Sequence, residues 1–442
     1  MQPNEAALRD EATALLRDLL RIDTSNPPGR ETPAAELLER YLSAAGAECE
    51  LVARDPERAN LVARIRGTGD GPSLAFLGHT DVVPAEDPEA WTHPPFAGHL
   101  DAEGYVWGRG AADMKNELAT RAVAFAFLAR SAFRPRGDLV LIAEADEEDG
   151  SKRVGLPWLV RERPDIRTDF VLNEGAAERL ELADGRTVTT FNVGEKGALG
   201  ATVTAVAEGG HSSLPSPDVN AVSQLARLIG RLDRHRTRRK ALPQTEAMLA
   251  ALAGAGGSLE ERIERAASLH PMLGDLVRPL FGLTIAPTRL HGSTALNVIP
   301  GRASVECDCR TVPGTTRAEV EAELREALGD DIPYELTFSG EPEGGSISPL
   351  DTRLFEICTA WVAENDPDTV LVPTLTNGFT NSHYVREAFG TIAYGFWPIR
   401  RTPTEVLHGG VHARDERIHA DDLGYAARFH VEVAQALSAP GT

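Results

Sequence analysis

Apolar residues early in the chain recur at Leu8, Ala12, Leu15, Leu16, Leu19 and Leu20. That single stripe at helical spacing predicts a helix over 5–21. Thr24-Ser25-Asn26-Pro27-Pro28-Gly29 breaks it, and a second helical pattern covers 33–45 before Gly46. Three short apolar runs follow, at Leu74–Leu77, Leu139–Ala143 and Phe170–Leu172. Each has strand length and is nearly continuous rather than alternating, as expected of strands buried on both faces. A helical stretch near 116–130 lies between the first two. This alternation predicts an α/β domain with a mostly parallel central sheet.

The pattern changes near residue 198. Val and Thr alternate over Ala201–Ala207, and alternation returns at Ala303–Cys309. Helical patterns lie between them, at about 218–232 and 241–281. Strands with one exposed face, mixed with helices, predict a smaller α+β unit inserted in the larger domain. The boundaries read as 1–197 and 313–442 for the larger domain and 198–312 for the insertion. After Pro313 the pattern gives a helix (317–328), a strand (333–339), a helix (351–364), an apolar strand (391–396) and a last helix (421–437).

Charge narrows the function classes. Lys plus Arg number 45 and Asp plus Glu 66, a net charge of −21. Such a surface repels phosphate backbones and anionic bilayers, so neither nucleic acid nor membrane is an expected partner. Four cysteines without a C-x-x-C pair exclude a disulfide framework. The apolar stretch at 119–129 is interrupted by Arg121 and is too short to span a bilayer. MQPNEAALRD is polar, so no signal peptide is expected. The expectation is a soluble, cytoplasmic protein. Arg227–Lys240 is rich in arginine; it reads as a solvated helix face, or as a local attractor for anionic substrates.

Candidate chemistry gathers where the buried runs end. Gly78-His79-Thr80-Asp81 follows the first run, Glu144-Ala145-Asp146-Glu147-Glu148-Asp149 the second and Asn173-Glu174-Gly175 the third. Ligands in open α/β sheets collect at the carboxyl ends of strands. In His79-x-Asp81 the carboxylate could fix the imidazole tautomer, as metal-bound histidines require, or simply cap a turn. Asp113, in Gly108-Arg109-Gly110-Ala111-Ala112-Asp113-Met114-Lys115, reads as a ligand or as a helix cap. Adjacent Glu147 and Glu148 repel one another unless a dication is near. One could then bind the metal while the other takes a proton from water; a solvated acidic loop is the plainer reading. His408, His412 and His419 lie close together near the C-terminal end.

Taken in order, these segments resemble the di-zinc aminoacylase/carboxypeptidase metallopeptidases. That family includes aminoacylase-1, carboxypeptidase S, glutamate carboxypeptidase, succinyl-diaminopimelate desuccinylase and acetylornithine deacetylase. The matching stretches are Gly78–Pro84, Gly108-Arg109-Gly110 with Asp113-Met114-Lys115, Glu147-Glu148, Leu172-Asn173-Glu174-Gly175, and His412 four residues before Glu416-Arg417-Ile418. The resemblance implies a zinc-peptidase-like catalytic domain with an inserted lid and dimerisation domain. It implies two Zn2+ per chain, with Co2+ or Mn2+ as substitutes. His79, Asp113 and Glu174 would hold one ion and Asp113, Glu148 and His412 the other, with Asp81 orienting His79 and Glu147 as general base. It also implies a cis peptide after Asp113.

The inserted unit resembles the family too. His211, in Gly209-Gly210-His211-Ser212-Ser213, would reach the substrate oxyanion, in many members across a homodimer. Asn297 and Arg310 would meet the transition state and the substrate carboxylate. Many members carry Gly-Gly-Thr-Asp before the last helix, where this chain has Asn377-Gly378-Phe379-Thr380-Asn381; Gly378 would line the substrate and the missing charge leaves the side-chain preference open. The helical stretch at 241–281 makes the insertion longer than in the shortest members, closer to the carboxypeptidase S branch. The implied activity is hydrolysis of the amide bond of N-acyl amino acids or of short peptides with a free carboxylate. Alternatives are a carbamoyl or ureido amidohydrolase with the same metals, and a non-catalytic binding protein.

Overall fold

The computed structural model describes residues 3–131, 133–175 and 178–440. Contacts divide the chain into two compact units: Met1–Val193, Ser348–Thr374 and Tyr384–Thr442 form the first, and Gly194–Ile347 with Leu375–His383 the second.

The first unit is built on a nine-stranded sheet. Its spatial order is Glu48–Val52, Asn60–Ile65, Leu139–Glu144, Leu74–His79, Phe170–Asn173, Ile392–Gly395, Thr187–Glu195 and Thr369–Thr376, with Arg179–Glu181 alongside Thr187–Glu195. The central four strands pair in parallel. Asn60–Ile65 and Thr187–Glu195 join them antiparallel, and Glu48–Val52 is antiparallel to Asn60–Ile65. The sheet is therefore mixed, with four parallel strands at its centre. Glu48–Val52 and Asn60–Ile65 are joined by a short loop, which permits only an antiparallel pair, whereas the central strands have helical crossovers.

Leu74–His79 and Leu139–Glu144 are buried along their whole length, as their unbroken apolar runs predict. On one face Ala75, Leu77, Val140 and Ile142 pack with Leu156, Leu159 and Val160 of a short helix. Helices Glu5–Leu20, Lys115–Arg130 and Ala420–Ser438 pack on one another, and Lys115–Arg130 lies against Leu74–His79 and Leu139–Glu144. Each residue of the Leu8-to-Leu20 stripe is buried.

The second unit has an antiparallel sheet in the order Thr284–His291, Arg302–Thr311, Gly197–Val206 and Tyr334–Phe338, with Glu343–Gly344 also on Gly197–Val206. Burial alternates along Gly197–Val206 and Arg302–Thr311. The inward set, including Val203, Val305, Cys307 and Cys309, packs on Leu225, Leu228 and Leu232 of one helix and Val320, Leu324 and Leu328 of another. That second helix, Arg317–Leu328, lies beyond the expected boundary at Val312. It and Tyr334–Phe338 complete the core and sheet, so the unit continues to Ile347. The helical stretch at 241–281 resolves into Pro243–Ala253, Leu259–Ser268 and Pro271–Val277. Buried Lys196 ties its end down, donating from Nζ to the carbonyls of Pro279 (2.6 Å) and Gly282 (2.8 Å).

Arg121, the residue that interrupts the apolar run at 119–129, is fully buried. It donates to the carbonyls of Leu77 and Asn173 (both 2.8 Å) and pairs with Glu117 at 2.7 Å. It thus joins two parallel strands beside their carboxyl ends. Arg121→Leu should destabilise the protein by about 3–5 kcal/mol, because it strands the buried Glu117 carboxylate. Urea unfolding followed by circular dichroism measures this; a loss under about 1 kcal/mol would show that the pair does not hold the strand ends.

Candidate metal centre

The parallel strands Leu139–Glu144, Leu74–His79 and Phe170–Asn173 are neighbours, so their carboxyl ends converge. His79 closes one strand, Glu147 and Glu148 lie in the turn after the second, and Glu174 follows the third. His79 Nε2 lies 3.2 Å from Asp113 Oδ1 and 3.4 Å from Glu174 Oε2. His412 Nε2 lies 3.3 Å from Asp113 Oδ2 and 3.1 Å from Glu148 Oε2. Asp113 therefore turns one oxygen to each imidazole. One donor atom each from His79, Asp113 and Glu148 falls within a mutual 4.8 Å.

The charge balance fits a cation. Asp113, Glu147, Glu148 and Glu174 crowd around two imidazoles, and Glu148 Oε1 is buried without a hydrogen-bond partner. Burial disfavours charge on His79, but hydrogen bonds to Asp113 and Glu174 outweigh it and hold the imidazole well above its usual pKa. Hydrogen bonds to Asp113 and Glu148 push His412 up to about 10. Burial opposes ionisation of Asp113 as well, yet its contacts with His412 and His79 keep it below the ordinary carboxylate range. Burial, reinforced by the charge of Glu174, raises Glu147 well above that range, and burial also raises Glu174. The protons held on the two imidazoles occupy positions where a divalent ion would balance the same carboxylates. Imidazole nitrogen with carboxylate oxygen suits a first-row divalent metal.

Asp81 departs from its simplest expected role. It is the backbone carbonyl of Asp81 that meets His79 Nδ1, at 2.9 Å; the carboxylate stands off at 3.6 Å. That carboxylate instead accepts from the backbone amides of Glu147 (3.2 Å) and Glu148 (3.0 Å) and from Asn26 Nδ2 (2.9 Å). One residue thus orients the imidazole with its main chain and the Glu147–Glu148 turn with its side chain.

The loop bearing Asp113 is held by Glu416, which the sequence marked only by its spacing from His412. Glu416 is fully buried and accepts from Arg109 Nη1 (2.6 Å) and the amides of Gly110 (3.0 Å), Ala112 (2.6 Å) and Asp113 (2.9 Å). Gly110 has φ +96, and an added Cβ there would press on Lys115 and Val82 at 3.0 Å. The Asp113–Met114 peptide is cis. Among the three C-terminal histidines, His412 is the one at the cluster. His408 pairs with Glu178 (2.8 Å), and His419 Nδ1 accepts from the Asp421 amide, capping the last helix.

The remaining expected site residues belong to the second unit. His211 lies on the short strand Gly210–His211 opposite Val298–Ile299, with Nδ1 at 2.7 Å from Ser213 Oγ. The Asn297 carbonyl accepts from the Ser212 amide, so His211 and Asn297 flank one ribbon. Arg310 forks onto Asp308, with three contacts of 3.1 Å. Gly378 sits in a half-buried turn beside Asn377, whose Nδ2 donates to the Leu276 carbonyl at 3.0 Å.

Residues 75–436 match peptidase family M20/M25/M40, and the chain belongs to that family. A succinyl-diaminopimelate desuccinylase of Cereibacter sphaeroides (strain ATCC 17029) is 38% identical over 230 residues, 51% of this chain and 57% of that protein. The chain thus matches little more than half the length of that relative. The Paracoccus denitrificans protein of the same name aligns over 413 residues at 27% identity, covering 92% of this chain and 93% of its own. The fold is that of a metallo-carboxypeptidase from Sulfolobus solfataricus, with a TM-score of 0.71 at 18% identity over 97% of this chain and 99% of that one.

The raised His412 pKa carries a sign. The contribution of its charged contacts to stability is complete below about pH 6.5 and is lost as pH climbs through about 10. In chelator, the stability gap between the wild type and His412→Ala should therefore shrink over that range. Thermal unfolding at several pH values measures it, and a gap independent of pH would contradict the contacts to Asp113 and Glu148.

Proposed function

We propose that the chain is a metal-dependent hydrolase that cleaves the amide bond of N-acyl amino acids or of short peptides with a free carboxylate. The observation that carries this is Asp113, shared between His79 with Glu174 on one side and His412 with Glu148 on the other. His79, Asp113 and Glu174 would hold one metal ion and Asp113, Glu148 and His412 a second. The nitrogen-and-oxygen donor set favours zinc, with cobalt or manganese as substitutes. When bound, such ions would supply Lewis acidity, toward a water and toward the scissile carbonyl.

The chain's own residues do the rest. Glu147 accepts the proton of the attacking water on its carboxylate and returns it to the leaving nitrogen. Asp81 holds that carboxylate in place through the Glu147 amide and fixes the His79 tautomer through its carbonyl. His211 donates to the developing oxyanion, with Asn297 beside it. Arg310 offers a planar fork to the substrate carboxylate in exchange for Asp308, and the turn at Gly378 lines the acyl side.

The second unit acts in this reading as lid and dimerisation domain. In support of a homodimer, Thr284–His291 is an edge strand, and Leu290, Leu296, Val298 and Val222 are exposed large apolar residues. A second copy would cover them and carry His211 to its partner's site. No described helix is long and apolar enough to cross a membrane. All four cysteines are unpaired, which suits the reducing cytoplasm.

Zinc-loaded protein should release amine from one class in a panel of N-acyl amino acids, dipeptides and ureido acids, and chelator should abolish the release. No turnover by protein carrying two metals would sink the hydrolase reading, and ammonia from ureido acids alone would replace the substrate class. Glu147→Gln should lower kcat by roughly 10²–10⁴-fold while metal content stays at the wild-type level. A fully active Gln variant would remove Glu147 from the general-base role.

A further inference from the structure

Beneath the Glu147–Glu148 turn lies a buried charged cluster separate from the donors of the metal centre. Arg58, only 3% exposed, forks onto Glu31, with Nε 2.9 Å from Oε2 and a closer contact from Nη2 to Oε1. Its Nη1 stands 3.1 Å from Asp146 Oδ1. Glu31 Oε1 also accepts from the Asp146 amide at 3.3 Å. Asn26 Nδ2 bridges Asp81 Oδ2 (2.9 Å) and Asp146 Oδ1 (3.2 Å). Asp146 Oδ2 accepts from the amides of Lys152 (3.1 Å) and Val154 (3.4 Å). Gly29 makes room for this, since a Cβ there would lie 2.2 Å from Arg58 Cζ.

Two features set this cluster apart from ordinary packing. Asp146 holds a left-handed backbone, φ +64, immediately before the two glutamates. In that region a non-glycine residue is strained and persists only where its surroundings over-determine it. The cluster also buries Glu31, Asp81 and Asp146 around the single guanidinium of Arg58. Buried ion clusters of this kind are often less stabilising than apolar side chains of the same volume. Its product is geometric: Asp146 is fixed by Arg58, Glu31 and Asn26, and Asp81 by Asn26. Asp146 and Asp81 then hold both sides of the turn that carries Glu147 and Glu148.

We propose that Arg58, with Glu31 and Asn26, is a positioning group for the metal centre, setting where Glu147 and Glu148 stand relative to Asp113. The kinetic part of this rests on the hydrolase reading above; the metal-binding part does not. Arg58→Met should weaken zinc at one of the two sites, the one using Glu148, by about 10- to 100-fold in calorimetric titration. Zinc at the site of His79 and Glu174 should bind as in the wild type. kcat should fall by a comparable factor with KM within about threefold, the signature of a lost transition-state interaction. Arg58→Lys, which keeps the charge without the fork, should recover part of both.

The decisive variant removes the whole pair. Glu31→Met with Arg58→Met should regain thermal stability, because two apolar side chains replace a buried ion pair. It should not regain zinc affinity or kcat, because Asp146 still lacks its contacts with Arg58 and Glu31. Recovery of affinity and kcat together with stability would overturn the proposal and leave Arg58 a purely structural residue. So would wild-type zinc binding in Arg58→Met. Should the single variant fail to fold, Asn26→Ala leaves the Arg58–Glu31 pair in place and carries the same expectation. A wild type that binds two zinc ions yet hydrolyses nothing would defeat the hydrolase reading alone, since the titrations still decide the role of Arg58.

Discussion

Negative charge crowded at the ends of parallel strands is the constraint around which the first unit is organised. Asp81, Asp113, Glu147, Glu148 and Glu174 converge on a small volume that two histidines enter from distant parts of the chain. Like charges at such separations disfavour joint ionisation, and burial adds to the cost. The directions of the pKa shifts record the conflict: Glu147 and Glu174 are driven toward the protonated form while His79 and His412 hold their protons. A folded chain keeps this arrangement only if a cation resolves it or rigid surroundings enforce it, and the chain provides for both.

The rigid surroundings rest on three buried arginines, each beside a glutamate. Arg109 and Glu416 hold the loop before Asp113. Arg121 and Glu117 hold the strands before His79 and Glu174. Arg58 and Glu31 hold the turn before Glu147 and Glu148. In each case the guanidinium fork or its carboxylate partner also reaches the backbone, so a side-chain charge fixes a main-chain position. Arginine suits this use because its planar fork satisfies several acceptors at once. The donors themselves sit at strand ends and tight turns, where helices and ladders impose little on the side chain.

Much of this was legible in the sequence because burial on both faces leaves a plain mark. The runs at Leu74, Leu139 and Phe170 announce their strands, and the acidic residues just after them announce the site. Thr187–Glu195 escaped notice although it is buried almost throughout, because Thr189, Thr190 and Asn192 interrupt its apolar character. Asn60–Ile65 escaped for the same reason, with Asn60 and Arg64 buried among apolar neighbours. The residues that cluster here were readable as a set, whereas their supports were not. Glu31, Arg58 and Glu416 look like surface charges until the fold buries them, and nothing local marks a charged residue for burial when its partner lies far along the chain. The closing helix and strand of the second unit follow an ordinary turn after Pro313, so nothing local in the sequence marks how far the unit extends.

Glu416 accepts from the amide of Asp113 across 303 residues of chain. The ribosome has therefore long released His79, Asp113, Glu147, Glu148 and Glu174 before His412 and Glu416 emerge. Until then the loop before Asp113 lacks its buried anchor and the acidic pocket lacks its second imidazole. A nascent chain can gather one half of the cluster, while the other half awaits a segment made much later. Assembly of the whole cluster is thereby tied to synthesis through Glu416, and a chain cut short upstream of His412 lacks the imidazole that faces Asp113 and Glu148.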